Sequence, residues 1–348
     1  VRIPDRLRVP PSAVQGLALA SVAANVLLVV TGGAVRLTGS GLGCPTWPRC
    51  TDGSYHNTAA YGIHGYVEFG NRLLGVAIGI LVTLVFLAAV LARDESTSLL
   101  GARGSRRRAV LGLALLNGAS IPAQAVVGGL TVLTKLNPWV VAGHFLLSPA
   151  IIAVGYLLWR RTGEGAGPAR PVVPGPLRAL AWLIAGVTVA VLAAGTVVTG
   201  SGPHAGDAHA KRTGLDPATV AQLHADLVCL LIGLSVALWF AVRALRPATP
   251  AGADGPAGAD GPAGAGHDAV GGLVARAGWL IVIELGQGVI GFVQYFTHLP
   301  DLLVGAHMAG ACAVWLAALS VLFATRYRGP APATEPGPAT GPALAPAG

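Results

Sequence analysis

Gln124-Ala125-Val126-Val127-Gly128-Gly129 and Gln287-Gly288-Val289-Ile290-Gly291-Phe292 open two stretches built to one plan. Each runs through a short polar break into an apolar segment that carries a histidine, His144 in the first and His307 in the second, twenty residues after its glutamine. Working outward, Thr38-Gly39-Ser40-Gly41 is answered by Thr199-Gly200-Ser201-Gly202, and a further histidine follows each, His64 and His224. A pattern repeated in this way marks an internal duplication.

The setting of these residues is apolar. Of 348 residues, 53% are hydrophobic and 11% charged, and the mean hydropathy of +0.65 argues against a soluble fold. Crossing a hydrocarbon layer of ~30 Å takes about twenty residues of helix, and eight such runs are present, near 13–35, 66–92, 109–133, 139–159, 178–199, 219–243, 273–296 and 302–325. The fold class read from them is an all-α polytopic membrane protein with eight transmembrane helices, four in each repeat. An even number of spans per repeat gives both halves the same orientation, so the repeats are parallel, related by an axis along the membrane normal.

The expected organisation is a cytoplasmic amino terminus (1–12), a first four-helix repeat (13–159), a cytoplasmic linker (160–177), a second repeat (178–325) and a disordered cytoplasmic tail (326–348). The repeated Ala-Asp-Gly-Pro-Ala-Gly composition makes 247–269 a disordered loop inside the second repeat. No cleavable signal is evident. With the amino terminus inside, seventeen arginines fall on inner segments, whereas the outer loops hold Arg36, Arg49, Lys135, Lys211 and Arg212. The formal charge of +8 is therefore an orientation signal of the positive-inside kind, and no nucleic-acid partner is expected. Richness in Ala, Gly and Pro and the preference for Arg over Lys fit a GC-rich bacterium, hence a plasma-membrane address with lipid as the surroundings.

Of four cysteines, Cys44 and Cys50 fall in the first outer loop, where oxidation is permitted, and a disulfide between them is expected. A zinc half-site or a redox-active pair are the other readings. Cys229 and Cys312 lie within spans and read as small packing residues. Of nine histidines, His56, His204, His209, His267 and His298 fall in loops, which leaves His64, His144, His224 and His307 at membrane depth. An imidazole there is expensive unless it faces a protein interior and finds a partner. Helices presenting imidazoles to both faces of a porphyrin satisfy that need, so bis-histidine haem ligation follows. Helical spacing also places His64, Glu68, Asn71 and Arg72 on one face. Glu68 and Arg72 are either a structural ion pair or part of a reactive site, and Glu284 reads as structural.

With these residues in place, the chain resembles the haem A synthase family, the integral membrane enzymes that convert haem O to haem A for cytochrome oxidases. The markers are the run from Arg36 to Cys50, the stretch Gly128-Gly129-Leu130-Thr131-Val132-Leu133-Thr134 leading to Asn137-Pro138-Trp139 and His144, and the histidines His224 and His307. The resemblance implies a haem b cofactor whose iron is held by His224 and His307. It implies haem O as the substrate of the first half and oxidation of one methyl group to a formyl group, with Glu68 as the catalytic carboxylate. It also implies two partners: haem O synthase, the protohaem farnesyltransferase that makes the substrate, and an electron acceptor of unknown identity.

In that family a histidine follows the glutamate by three residues, whereas here Asn71 stands at that place. Counting from the Gly-Ser-Gly element pairs His64 with His224; counting from the inner end pairs Asn71 with His224. Because asparagine is a very poor iron ligand, His64 and His144 are the expected axial ligands of the substrate, with Asn71 as the alternative occupant of the first position. The rival functional reading is a b-type bis-histidine membrane cytochrome that only transfers electrons.

Overall fold

The computed structural model describes residues 8–92, 101–245 and 262–330. Among the described residues, eight helices are long and apolar enough to cross a membrane. They are α1 (Pro11–Leu37), α2 (Gly62–Val90), α3 (Gly101–Leu133), α4 (Pro138–Gly163), α5 (Gly175–Ser201), α6 (Pro217–Ala244), α7 (Pro262–Phe296) and α8 (Asp301–Ala324). The all-α polytopic reading holds.

Starts are set by local chemistry. Proline occupies the first or second position of α1, α4, α5 and α6, where its missing N–H is no loss. The Asn137 and Asp216 side chains cap α4 and α6 by accepting from Trp139 and Thr219 N–H groups. Asp216 lies outside the spans, and its hydrogen bonds from Thr219 hold its carboxyl below the usual carboxylate range.

The interior is largely apolar, as in a soluble protein, but the outside is apolar too. Leu73, Trp182, Phe240, Trp279 and Val289 are exposed on the outside of the bundle, while Ser21, Asn25, Asn117, Thr188, Ser235 and Glu284 are buried. The buried polar groups tie helices together, as when Asn117 Nδ2 of α3 donates to Ser21 Oγ of α1 at 3.4 Å. Such bonds act as glue between helices in lipid, where apolar contact alone gives little drive.

Helix α1 packs on α2 and α4, α2 on α3, and α3 on α4; in the second half α5 packs on α6 and α8, α6 on α7, and α7 on α8. The halves meet through α1 with α8, α4 with α5 and α4 with α8. At the end of the bundle that carries the α1–α2 and α5–α6 loops, Arg36 donates to the carbonyl oxygens of His204 and Thr199, and Gly41 N–H donates to Gly206 O at 2.8 Å. The turns α3–α4 and α7–α8 share an unusual backbone, with consecutive left-handed residues at Lys135 and Leu136 (φ 54° and 58°) and again at His298 and Leu299 (φ 63° and 60°). Leucine in this region is strained.

Two expectations need correction. Residues 262–269 fall within α7 (Pro262–Phe296) rather than in a loop. Residues 326–328 are not loose tail: β2 (Arg326–Arg328) pairs antiparallel with β1 (Ala169–Pro171) in what was expected to be a plain linker. Backbone groups leaving α8 find partners there, including Val172 N–H donating to Thr325 O at 2.9 Å. The rest of the expected disordered loop, 247–261, lies outside the described residues, as does the tail beyond 330.

Candidate functional site

One cavity of about 1420 Å³ runs between the helices and is lined from both halves. His144, His224 and His307 line it, as do Glu68, Asn71, Gln124 and Gln287. Its second-half end is built on α5 to α8. The His224 and His307 ring centroids lie 6.4 Å apart with planes at 69°. His224 Nδ1 pairs with Val191 O at 3.1 Å, which fixes the ring and leaves Nε2 for another partner. Glycines admit the rings: a Cβ on Gly195 would stand 3.3 Å from His224 Cε1, and one on Gly291 would stand 3.0 Å from His307 Cε1.

This pair fits an iron macrocycle. Imidazole–metal bonds of about 2 Å on opposite sides of one ion place the ring centroids about 6 Å apart, close to the separation observed. Among the described residues no group of three or more His, Cys, Asp or Glu side chains is placed to hold a bare metal ion. The equatorial donors would therefore come from the ligand itself, as they do in a porphyrin.

The first-half end repeats part of this construction. Gln124 Nε2 donates to His144 O at 3.0 Å, and Gln287 Nε2 donates to His307 O at 2.6 Å. A Cβ on Gly128 would stand 2.9 Å from His144 Cε1, as Gly291 does toward His307. In both halves the same atoms are buried without a partner, Oε1 of the glutamine and Nδ1 of the histidine. Facing α1 across this end is Asn71, whose Oδ1 accepts from Thr31 Oγ1 at 2.8 Å.

His64 does not reach the cavity lining. It sits in the first turn of α2, exposed, with Nδ1 2.9 Å from Ser40 Oγ. The structure thus brings Glu68, Asn71 and His144 to one cavity end and leaves His64 outside it. Seven residues of helix separate His64 from Asn71, about 10 Å along the axis.

Glu68 is buried and fully engaged. Its Oε1 accepts from Arg72 Nη2 at 2.7 Å and its Oε2 from Cys44 N–H at 2.7 Å. Arg72 Nη2 also donates to Cys44 O (3.0 Å) and Thr46 O (3.1 Å). Cys44 and Cys50 form a disulfide, so the ion pair is clamped onto a stapled loop. That loop lays Trp47 against α3, where a Cβ on Gly129 would overlap the indole, and Trp47 and Pro48 close this end of the cavity. The ion-pair reading of Glu68 and Arg72 and the reactive-site reading are therefore compatible: the carboxylate is held by arginine and still lines the cavity.

Glu284 links α7 to α6, accepting from Ser235 Oγ at 2.9 Å, and also lines the cavity. Cys312 is buried against the core, whereas Cys229 is exposed. Sequence reading missed Thr31, Trp47 and Arg36. Arg36 and Trp47 stood in the quoted run, but nothing in the chain marks the one as a tie between halves or the other as a cavity wall.

The family described as cytochrome oxidase assembly protein has a model that matches residues 15–211, more than half of the chain. The chain belongs to this family. As a cytochrome oxidase assembly family member it is similar to the Heme A synthase of a Bradyrhizobium species, with 32% identity over 202 residues, covering 50% of this chain and 53% of the relative. It is 32% identical over 215 residues to the Heme A synthase of Methylobacterium radiotolerans (52% of this chain, 54% of the relative). It is 31% identical over 136 residues to that of Geobacillus thermodenitrificans (38% of each). The chain spans about half the length of the first two relatives it matches.

Proposed function

We propose that this chain is a haem A synthase, oxidising one methyl group of haem O to a formyl group by successive hydroxylations and loss of water. The observation that carries the reading is an asymmetry within one cavity: a histidine pair at one end and, at the other, a single cavity-lining histidine with a buried carboxylate. Three residues before His224 stands Ala221, whereas three residues before Asn71 stands Glu68. A cytochrome that only passes electrons has no use for that difference. The names of the relatives point the same way.

His224 and His307 would hold a b-type haem, which when bound supplies a one-electron relay. His144 would hold the substrate from the α4 side, with Trp47 and Pro48 excluding water from that end. Glu68, aligned by Arg72 and the Cys44 N–H, would stabilise positive charge developing on the macrocycle or take a proton from the attacking oxygen species. Arg72 keeps that carboxylate in place. The substrate would come from haem O synthase, and the four electrons of a methyl-to-formyl oxidation would leave to an acceptor outside the chain.

The arginine distribution supports cytoplasmic termini, and the richness in Ala, Gly and Pro with Arg preferred over Lys supports a bacterial plasma membrane. The recurring helix packing, glutamine bonds and left-handed turns support two parallel four-helix repeats. Expression in a host that accumulates haem O, followed by pigment extraction and chromatography, tests the activity. Haem A in the extract is the expected result; unchanged haem O beside a normal b-type spectrum would leave the cytochrome reading instead.

A further inference from the structure

We propose that the first-half site, if it takes a haem as the function above requires, holds the iron by His144 alone and keeps the opposite face open to a small exogenous ligand beside Asn71. The juxtaposition that carries this is Asn71 at the level where the second half has His224. Aligning Thr38-Gly39-Ser40-Gly41 with Thr199-Gly200-Ser201-Gly202 makes Val191 and Gly195, the α5 residues that meet His224, the counterparts of Val30 and Ala34 on α1. Asn71 meets α1 between those two positions, at Thr31 by hydrogen bond and at Gly32, where a Cβ would stand 3.8 Å from Asn71 Nδ2. His64 instead meets Ser40, two turns nearer the outer surface.

His64 is also not free to move inward. Its backbone is packed so tightly under the disulfide loop that a Cβ on Gly43 would overlap the His64 carbonyl. Reaching the level of Asn71 would mean unwinding α2 across Glu68 and breaking the bonds to Arg72 and Cys44. Asparagine itself offers an amide, which is no ligand for haem iron beside available imidazoles. With Oδ1 taken by Thr31, the amide nitrogen is the polar end left without a hydrogen-bond partner among the described residues, beside Gly32, and Asn71 and Gly32 both line the cavity. It is a donor placed where a ligand of two or three atoms would sit. The second half is the closed counterpart, with imidazoles on both sides.

The full-length protein, purified in detergent from a host that accumulates haem O, is reduced and titrated with carbon monoxide. The expected result is one carbon-monoxide-reactive, high-spin haem beside one low-spin haem that does not react. Asn71→His closes the open face, and reactivity falls by at least tenfold with both haems low-spin; Asn71→Ala retains reactivity but shifts the bound carbon monoxide stretching frequency through loss of the amide donor. His64→Ala leaves the reactive haem unchanged. The unreactive second-half spectrum in each preparation reports that the variant is folded. Two low-spin unreactive haems in the wild type, or conversion of one to high spin by His64→Ala, overturns the role of Asn71 while leaving the synthase reading intact. A wild type that binds haem only between His224 and His307 overturns both.

Discussion

The two ends of the cavity share a scaffold and differ in what they can do. At each, a glutamine holds the carbonyl of a histidine and a glycine admits the imidazole ring. On the opposing helix the second half presents Ala221, His224 and Ala225, and the first presents Glu68, Asn71 and Arg72. One end pairs two histidines across the cavity. The other has asparagine in place of the second histidine and a carboxylate clamped to the disulfide-closed α1–α2 loop. The glutamine–histidine–glycine arrangement is common to both ends, and the difference lies on the helix that faces it.

The most severe break in this comparison is Glu68→Gln. Haem A yield is expected to fall by about 10²-fold or more, measured by chromatography of extracted pigments, while the second-half haem stays in place; wild-type yield would remove Glu68 from the chemistry. His307→Ala does the converse, abolishing the low-spin b-type spectrum and leaving the first-half carbon monoxide reaction, as read in reduced difference spectra. Arg72→Met leaves a buried carboxylate without its arginine, which costs about 3 kcal/mol; its second-half counterpart, Ala225→Met, is at an exposed position and should change stability by under about 1 kcal/mol, and thermal unfolding in detergent compares the two. The smallest effects come from Gly128→Ala and Gly291→Ala. Each presses a methyl group on a histidine ring, and each should weaken retention of its own haem by a few fold, near 1 kcal/mol, in competition with apomyoglobin. Unequal losses would show that the shared scaffold is less equivalent than its distances imply.

The eight spans were legible because apolar runs of the right length have few other uses, and their positions agree with α1 to α8 to within several residues at most ends. The Cys44–Cys50 disulfide was legible from its outer-loop setting. The place of His64 was not. Counting from Gly41 assumes that both outer loops deliver the chain to the next helix at the same height. The first loop instead folds back over α2 through the disulfide and a turn at Ala59–Tyr61, and enters α2 at Gly62 with φ 51°. Counting from the inner ends, where α2 stops at Val90 and α6 at Ala244, matched Asn71 with His224. The left-handed turns at Leu136 and Leu299 were illegible for another reason: leucine carries no signature of positive φ, and only packing imposes it.

The bonds from Arg36 to the second half bear on how so large a molecule gets in. Prising the halves apart at the outer face would strand a half-buried guanidinium that donates to two carbonyl oxygens, at about 1.5–3 kcal/mol for each charged hydrogen bond lost. Val76 and Ile80 of α2 border the cavity and are each about 60% exposed on the bundle's flank. On the function proposed above, a farnesylated substrate would enter beside α2, where the cavity lining itself reaches the bundle's flank, rather than between the halves.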